Sequence, residues 1–164
     1  MRLTLYTDYS LRVLLYLAAA PDRLSSISEI ARAYGVSHNH LMKVVLDLRE
    51  AGYVESVRGR FGGIRLARAA EAINVGAVVR RTEDDFVLVD CAHCVIAPGC
   101  ELSRTFGRAL AAFMAVLDGS SLADLARKSG GLATSLGIGG EAKPRPARAG
   151  PRRSRPPSSR RRRP

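Results

Sequence analysis

Residues 26–67 leave this chain fewer folding options than any other stretch. They open on Ser26-Ile27-Ser28-Glu29, a capping box in which Ser26 accepts from a backbone N–H at the start of a helix while Glu29 reaches back. The short helix ISEIARAY closes at Gly35, the residue type expected just past a helix C-terminus. Ser37 then caps a longer helix with Leu41, Val44, Val45 and Leu48 on one face, and Gly52 ends it. Two helices joined by Gly35-Val36-Ser37 have the outline of a helix-turn-helix, whose second helix enters the major groove. The next residues, YVESVRGRFGGIRLAR, read as strand over 53–57, glycine-rich turn over 58–63 and strand over 64–67. A hairpin directly behind a helix-turn-helix is the layout of a winged helix.

That layout selects candidate DNA contacts. The exposed face of the 37–49 helix carries Ser37, His38, Asn39, His40 and Lys43. Asn39 suits bidentate reading of adenine, and Lys43 suits a phosphate or a guanine. His38 and His40 have the wrong spacing to share a metal on a helix, so hydrogen bonds to DNA are the expected use. The wing carries Arg58, Arg60, Arg65 and Arg68 with no acid after Glu55. Arg58 and Arg60 in its turn suit phosphate contact or minor-groove entry, against the plainer reading of a solvated charged face.

On the N-terminal side, Leu11, Leu14, Leu15 and Ala18 recur at helical spacing after Thr7-Asp8, an N-cap pair, and Pro21 closes the helix. The same segment has a passing likeness to a signal peptide, but Asp8 and Arg12 lie inside it. No run reaches the 18 or so apolar residues needed to cross a bilayer, so a soluble cytoplasmic protein is expected. On the C-terminal side, residues 73–82 read as a short helix. Leu102, Phe106, Leu110, Phe113 and Leu117 then form an apolar stripe at spacings of three and four, either packed on its own domain or forming a homodimer seam. A dimer is attractive because helix-turn-helix proteins read two half-sites. The expected fold is mainly α with a small β-hairpin wing: a winged helix-turn-helix DNA-binding domain over 1–80 plus a long dimerisation helix within 102–128. Residues 81–101 make a connecting loop between them.

The formal net charge of +11 belongs mostly to the C-terminal end. Residues 141–164 hold nine Arg, one Lys and one Glu, which is +9, and leave the other 140 residues at +2. With no aliphatic or aromatic side chain larger than alanine's from Glu141 onward apart from proline, residues 129–164 read as a disordered basic tail, lending at most salt-sensitive attraction to nucleic acid. No phosphate loop, nucleophile elbow or acid pair beside a histidine points to an enzyme.

The chemistry sits in VDCAHCVIAPGCEL. Cys91, Cys94 and Cys100 are the only cysteines, and they fall within ten residues. Clustered thiolates are soft ligands that select zinc or an iron–sulfur centre. Pro98 and Gly99 put them in a loop where three sulfurs can converge. The plainer alternative is buried or oxidisable thiols. His93 could complete a structural zinc site, although it adjoins Cys94 and would crowd the ion.

The N-terminal LTLYTDYSLRVLLYLA, the run GVSHNHLMKVVLDLREAGYVESVRGRFGGIRLAR and the tract CVIAPGCEL, in that order, resemble the NsrR repressors. These are the nitric-oxide-sensing branch of the iron–sulfur winged-helix family that also includes IscR. The resemblance runs over residues 1 to about 128. It implies a homodimeric repressor of operator DNA with one iron–sulfur cluster per subunit, 4Fe–4S by the resemblance alone, on Cys91, Cys94 and Cys100. It also implies that nitric oxide is the signal and that an acid near the start of the first helix, here Asp8, is donated by the partner subunit as the fourth ligand. Read without the resemblance, Asp8 is a helix N-cap. His40 matches the family's NHL motif. The Cys91–Cys94 spacing is tighter than the family leads one to expect, and Ser103 stands where IscR-type members carry a histidine. An iron- or redox-sensing member of the same family, or a structural-zinc winged-helix protein, are the alternatives.

Overall fold

The computed structural model describes residues 2–91, 93–96, 99–128 and 131–138. Pro98, Gly130 and the basic stretch 141–164 lie outside them.

Helix α1 spans Leu5–Ala18 and starts earlier than Thr7-Asp8 would have it. Its N-cap is Thr4, whose hydroxyl accepts from the Thr7 N–H at 3.2 Å. Thr4 is held there by Glu83, whose carboxylate accepts from its N–H at 2.8 Å and its hydroxyl at 3.0 Å. Asp8 is therefore a first-turn residue rather than the cap. The next two helices follow their local signals. The Ser26–Glu29 capping box is formed reciprocally at the head of α2, Ile27–Tyr34, and Gly35 ends it in the left-handed region at φ 63°. Helix α3 spans His38–Glu50 with Ser37 at its N-cap, but the Ser37 side chain makes no capping hydrogen bond.

The hairpin follows as β1, Val54–Val57, antiparallel to β2, Gly63–Leu66. Ser25 adds one bridge to its inner edge, exchanging N–H and C=O with Ile64 at 3.0 and 2.8 Å. The wing is thereby stitched to the chain entering α2.

Beyond the hairpin come a 3-10 turn at Ala70–Ala72, α4 at Val75–Thr82, α5 at Glu101–Asp118, α6 at Leu122–Lys128 and α7 at Leu132–Ser135. Val13, Leu14, Tyr16 and Leu17 of α1 lie at the centre of one buried cluster. Ile30 of α2, the Leu41, Val44, Val45 and Leu48 stripe of α3, Val54 and Ile64 of the hairpin, Val78 of α4 and Leu122 of α6 complete it. Helix α7 falls within the 129–164 tail, and Leu136 and Ile138 just beyond it pack against this core.

Helix α5 is different. Of its eighteen residues only Met114 is buried, while Leu102 and Val116 are 55% and 72% exposed. Phe106, Leu110, Phe113 and Leu117 are half-buried. Among the described residues it is the far end of α5 that side chains of other elements tie down. Asn74 donates to the Asp118 carbonyl at 2.6 Å, and both Arg80 nitrogens grip the Asp118 carboxylate at 2.6 Å. A strand-like bridge between Asn74 and Ser121 closes the same corner. Gly76 makes this approach possible, since a Cβ there would overlap the Asp118 carboxylate and lie 2.9 Å from its Cγ.

Candidate DNA interface and cysteine site

The α3 stripe that enters the core fixes the rotation of that helix, so its opposite face turns outward. Ser37, His38, Asn39, His40 and Lys43 are all exposed on it, joined by Met42 and Leu46. His40 is not wholly free, because its ring stacks on Tyr9 of α1 with centroids 6.4 Å apart. The ring is thus held in place at the head of the helix. Ser37, with no capping bond to make, has its hydroxyl available for other partners.

The wing divides its arginines into two kinds. Arg65 faces Glu55 across the hairpin and donates to it at 2.5 Å. Arg68 donates to the Gly52 and Ala51 carbonyls at 2.9 and 3.1 Å, closing the C-terminus of α3, and lies over the Tyr53 ring. Arg65 thus ties the two strands of the wing together, and Arg68 ties the wing to the helix. Arg58 and Arg60 stand exposed in the turn. Arg60 also lies 5.7 Å from the centre of the Phe61 ring, itself 71% exposed.

The three cysteines lie on the segment between α4 and α5. Cys91 and Cys100 are half-buried and Cys94 is exposed. The Cys94 N–H reaches the Cys91 carbonyl at 3.3 Å, and the Gly99 N–H reaches the Ile96 carbonyl at 3.2 Å. Cys100 occupies the N-cap of α5 without a side-chain capping bond. His93 is exposed. Among the described residues no three Cys, His, Asp or Glu side chains are gathered as a ready-made ligand set. The donor chemistry fits an iron–sulfur cluster, with three soft thiolates on a short turn-rich segment, and their convergence would accompany binding.

Asp8 stands on the first turn of α1. Its Oδ1 accepts from the Arg12 Nε at 2.9 Å one helical turn on, both side chains about 40% exposed (42% and 39%). That leaves the second oxygen of the carboxylate for another partner. Arg12 also lies over the Tyr34 ring of α2 at 5.6 Å.

A further set of residues joins these two regions, and none of it was visible in the sequence. Four consecutive positions, the last three residues of α4 and Glu83 just after it, hold three other helices. Arg80 holds Asp118 of α5, and Arg81 holds Asp47 of α3 at 2.5 Å. Thr82 shares a buried hydrogen bond of 2.8 Å with Thr7 of α1, and Glu83 holds Thr4. The electrostatics follow. Arg80 lowers the Asp118 pKa from its ordinary value by hydrogen bonding. Burial first, and then the Asp47 carboxylate, raise that of Tyr6. The partners are 34 to 79 residues apart, and nothing in local spacing marks them.

No helix among the described residues is long and apolar enough to cross a membrane. The family model described as Rrf2, iron-dependent transcriptional regulator, matches residues 3–128. The HTH-type transcriptional regulator NsrR of Bacillus subtilis (strain 168) is 54% identical over 133 residues, which is 77% of this chain and 91% of the relative. The protein of the same description from Oceanobacillus iheyensis is 44% identical over 144 residues, 84% of this chain and 98% of the relative. Among solved structures, T. potens IscR superposes with a TM-score of 0.66 at 26% identity, covering 79% of this chain and 88% of that one. Oxidised CymR of Staphylococcus aureus gives 0.66 at 28% identity, covering 77% and 96%.

Proposed function

Because the chain belongs to the NsrR branch of the Rrf2 family of transcriptional regulators, we propose that it is a nitric-oxide-responsive repressor. It binds operator DNA as a homodimer and leaves it when its iron–sulfur cluster is nitrosylated. Cys91, Cys94 and Cys100 hold that cluster, of 4Fe–4S type, and Asp8 of the partner subunit supplies the fourth ligand. Ser37, His38, Asn39, His40 and Lys43 read the major groove, while Arg58 and Arg60 contact phosphate or the minor groove. The observation that carries this reading is where the cysteines lie. They occupy the segment between α4, whose last residues grip three other helices, and α5, whose apolar stripe of Phe106, Leu110, Phe113 and Leu117 is only half-buried among the described residues.

Bound on the three thiolates, the cluster supplies iron open to attack by nitric oxide. What this chain's residues do is mechanical. Convergence of three thiolates draws residues 91–100 together and sets the N-terminal end of α5. Asp118 fixes the other end of α5 to Arg80, and the adjacent Arg81 fixes α4 to Asp47 on the recognition helix. Release of the thiolates relaxes the segment and changes the setting of α5, hence the spacing of two α3 helices across a dimer. A shift of a few ångströms spoils the match to half-sites about 34 Å apart. Asp8 adds a second link, since it stands on the helix that Thr7 and Thr4 bind to the end of α4.

The test is DNA binding by protein prepared without oxygen, titrated with nitric oxide. Release is expected in the wild type. A weaker response is expected in Asp8→Ala, with the fold intact and with Arg12→Ala responding normally. The Arg12 variant separates a lost ligand from a lost surface ion pair. Undiminished DNA binding at nitric oxide well above the protein concentration would overturn the reading.

A further inference from the structure

Phe61 has no role in the fold. Of the nine Phe and Tyr residues, all within the described residues, it alone is exposed, at 71% of its surface. Isolated exposed apolar side chains are common and carry little by themselves, so its setting decides. The Gly62 N–H bonds the Gly59 carbonyl at 2.9 Å, which makes Arg60 and Phe61 the two central residues of the turn at the wing's apex. The turn is tightly specified. Gly59 takes φ +119°, a Cβ on Gly62 would overlap the Val57 carbonyl oxygen, and one on Gly63 would lie 2.8 Å from the Ser25 carbonyl oxygen. The hairpin therefore presents one aromatic ring at its tip beside the exposed Arg58 and Arg60, and its first strand packs against the recognition helix.

We propose that Phe61 is a minor-groove wedge, which Arg58 and Arg60 steer to the groove and which partly unstacks one base step beside each half-site. This rests on the DNA-binding reading above and adds to it an element of sequence preference. A two-residue tip fits a groove about 6 Å wide. Apolar wedges of this kind bend the duplex, and they favour pyrimidine–purine steps because those unstack most easily. The wing would then select flexible steps through deformation, without hydrogen bonds to bases, and Arg60 lies over the ring as it enters.

The experiment uses the full chain and a duplex selected from a random pool, with 2-aminopurine placed in turn at each step flanking the half-sites. With wild type, one flanking position should brighten on binding, and brightening should persist in part with Phe61→Leu and vanish with Phe61→Ala. Phe61→Ala should bind this duplex about tenfold more weakly, in line with the worth of one aromatic stack, at an unchanged salt slope and unchanged thermal stability. Arg60→Ala should instead lower the salt slope by about one while leaving the bright position bright. Equal affinity and equal fluorescence for wild type and Phe61→Ala, with the Arg60 effect present, would overturn the wedge alone. A wild type that selects no duplex at all would overturn the wedge and the DNA-binding reading together.

Discussion

Replacing Gly76 by alanine tests the corner that anchors α5. In an ordinary helix the change stabilises by about 1 kcal/mol, because alanine is the better helix former. Here the added methyl overlaps the Asp118 carboxylate, lies 2.9 Å from Cγ and is 3.1 Å from the Asp118 N–H nitrogen. The carboxylate must swing away, and the Arg80 pair breaks with it. The backbone contact remains tight after that movement, so relief is incomplete. A steric cost near the top of the usual range for overpacking, about 3 kcal/mol, leaves a net loss of about 2 kcal/mol. At about 4 °C per kcal/mol for a domain of this size, Tm should fall by about 8 °C. Calorimetry or a circular-dichroism melt reads this directly. The decisive form is a cycle with Asp118→Ala. Once the carboxylate is gone most of the clash goes with it, so Gly76→Ala should be nearly neutral in that background, a coupling of about 2 kcal/mol. Additive effects, or a Gly76→Ala protein more stable than wild type, would mean that the Asp118 carboxylate does not crowd Gly76 in this corner.

Three further outcomes are expected. Ser26→Ala should cost about 1 kcal/mol by removing one arm of the capping box, seen as a lower denaturation midpoint with an unchanged slope. Phe113→Glu, on the half-buried stripe of α5, should shift the protein from dimer to monomer in sedimentation and weaken operator binding by at least about tenfold. Asp118 and Asp124 both have pKa values lowered, the first by Arg80 and the second by Ser121. A group whose folded pKa is depressed stabilises the fold above its unfolded value, so stability should decline as pH falls through and below the ordinary aspartate range. That decline, followed by melts at stepped pH, should be shallower in Asp118→Asn.

Most of the DNA-binding fold could be read from the sequence because its signals are local. The Ser26–Glu29 box, the left-handed Gly35 and the glycine-rich wing turn each specify structure within a few residues. Where two local signals competed, distant contacts decided. Thr4 and Thr7 are both N-cap residue types, and Thr4 is selected because Glu83, 79 residues away, holds it. The same limit applies to the wing arginines. Four look alike in sequence, yet Arg65 and Arg68 are taken up by Glu55 and by the end of α3, leaving Arg58 and Arg60 outward. Residues 131–138 read as tail because their composition is glycine-rich, but Leu136 and Ile138 find the core. At the cysteines composition alone marks three thiols in ten residues. It could not show the α4 connections, which depend on which helices meet.

Whether Cys91, Cys94 and Cys100 hold an iron–sulfur cluster is decided by the metal content of protein purified without oxygen. Iron, labile sulfide and zinc are counted per subunit alongside the visible spectrum, in wild type and in Cys91→Ser, Cys94→Ser and Cys100→Ser. The expected result is a brown protein with about four irons and as many sulfides per subunit, and loss of both in each variant. A colourless protein carrying one zinc would contradict it, turning the cysteines into a structural clamp and removing the basis for a nitric-oxide response.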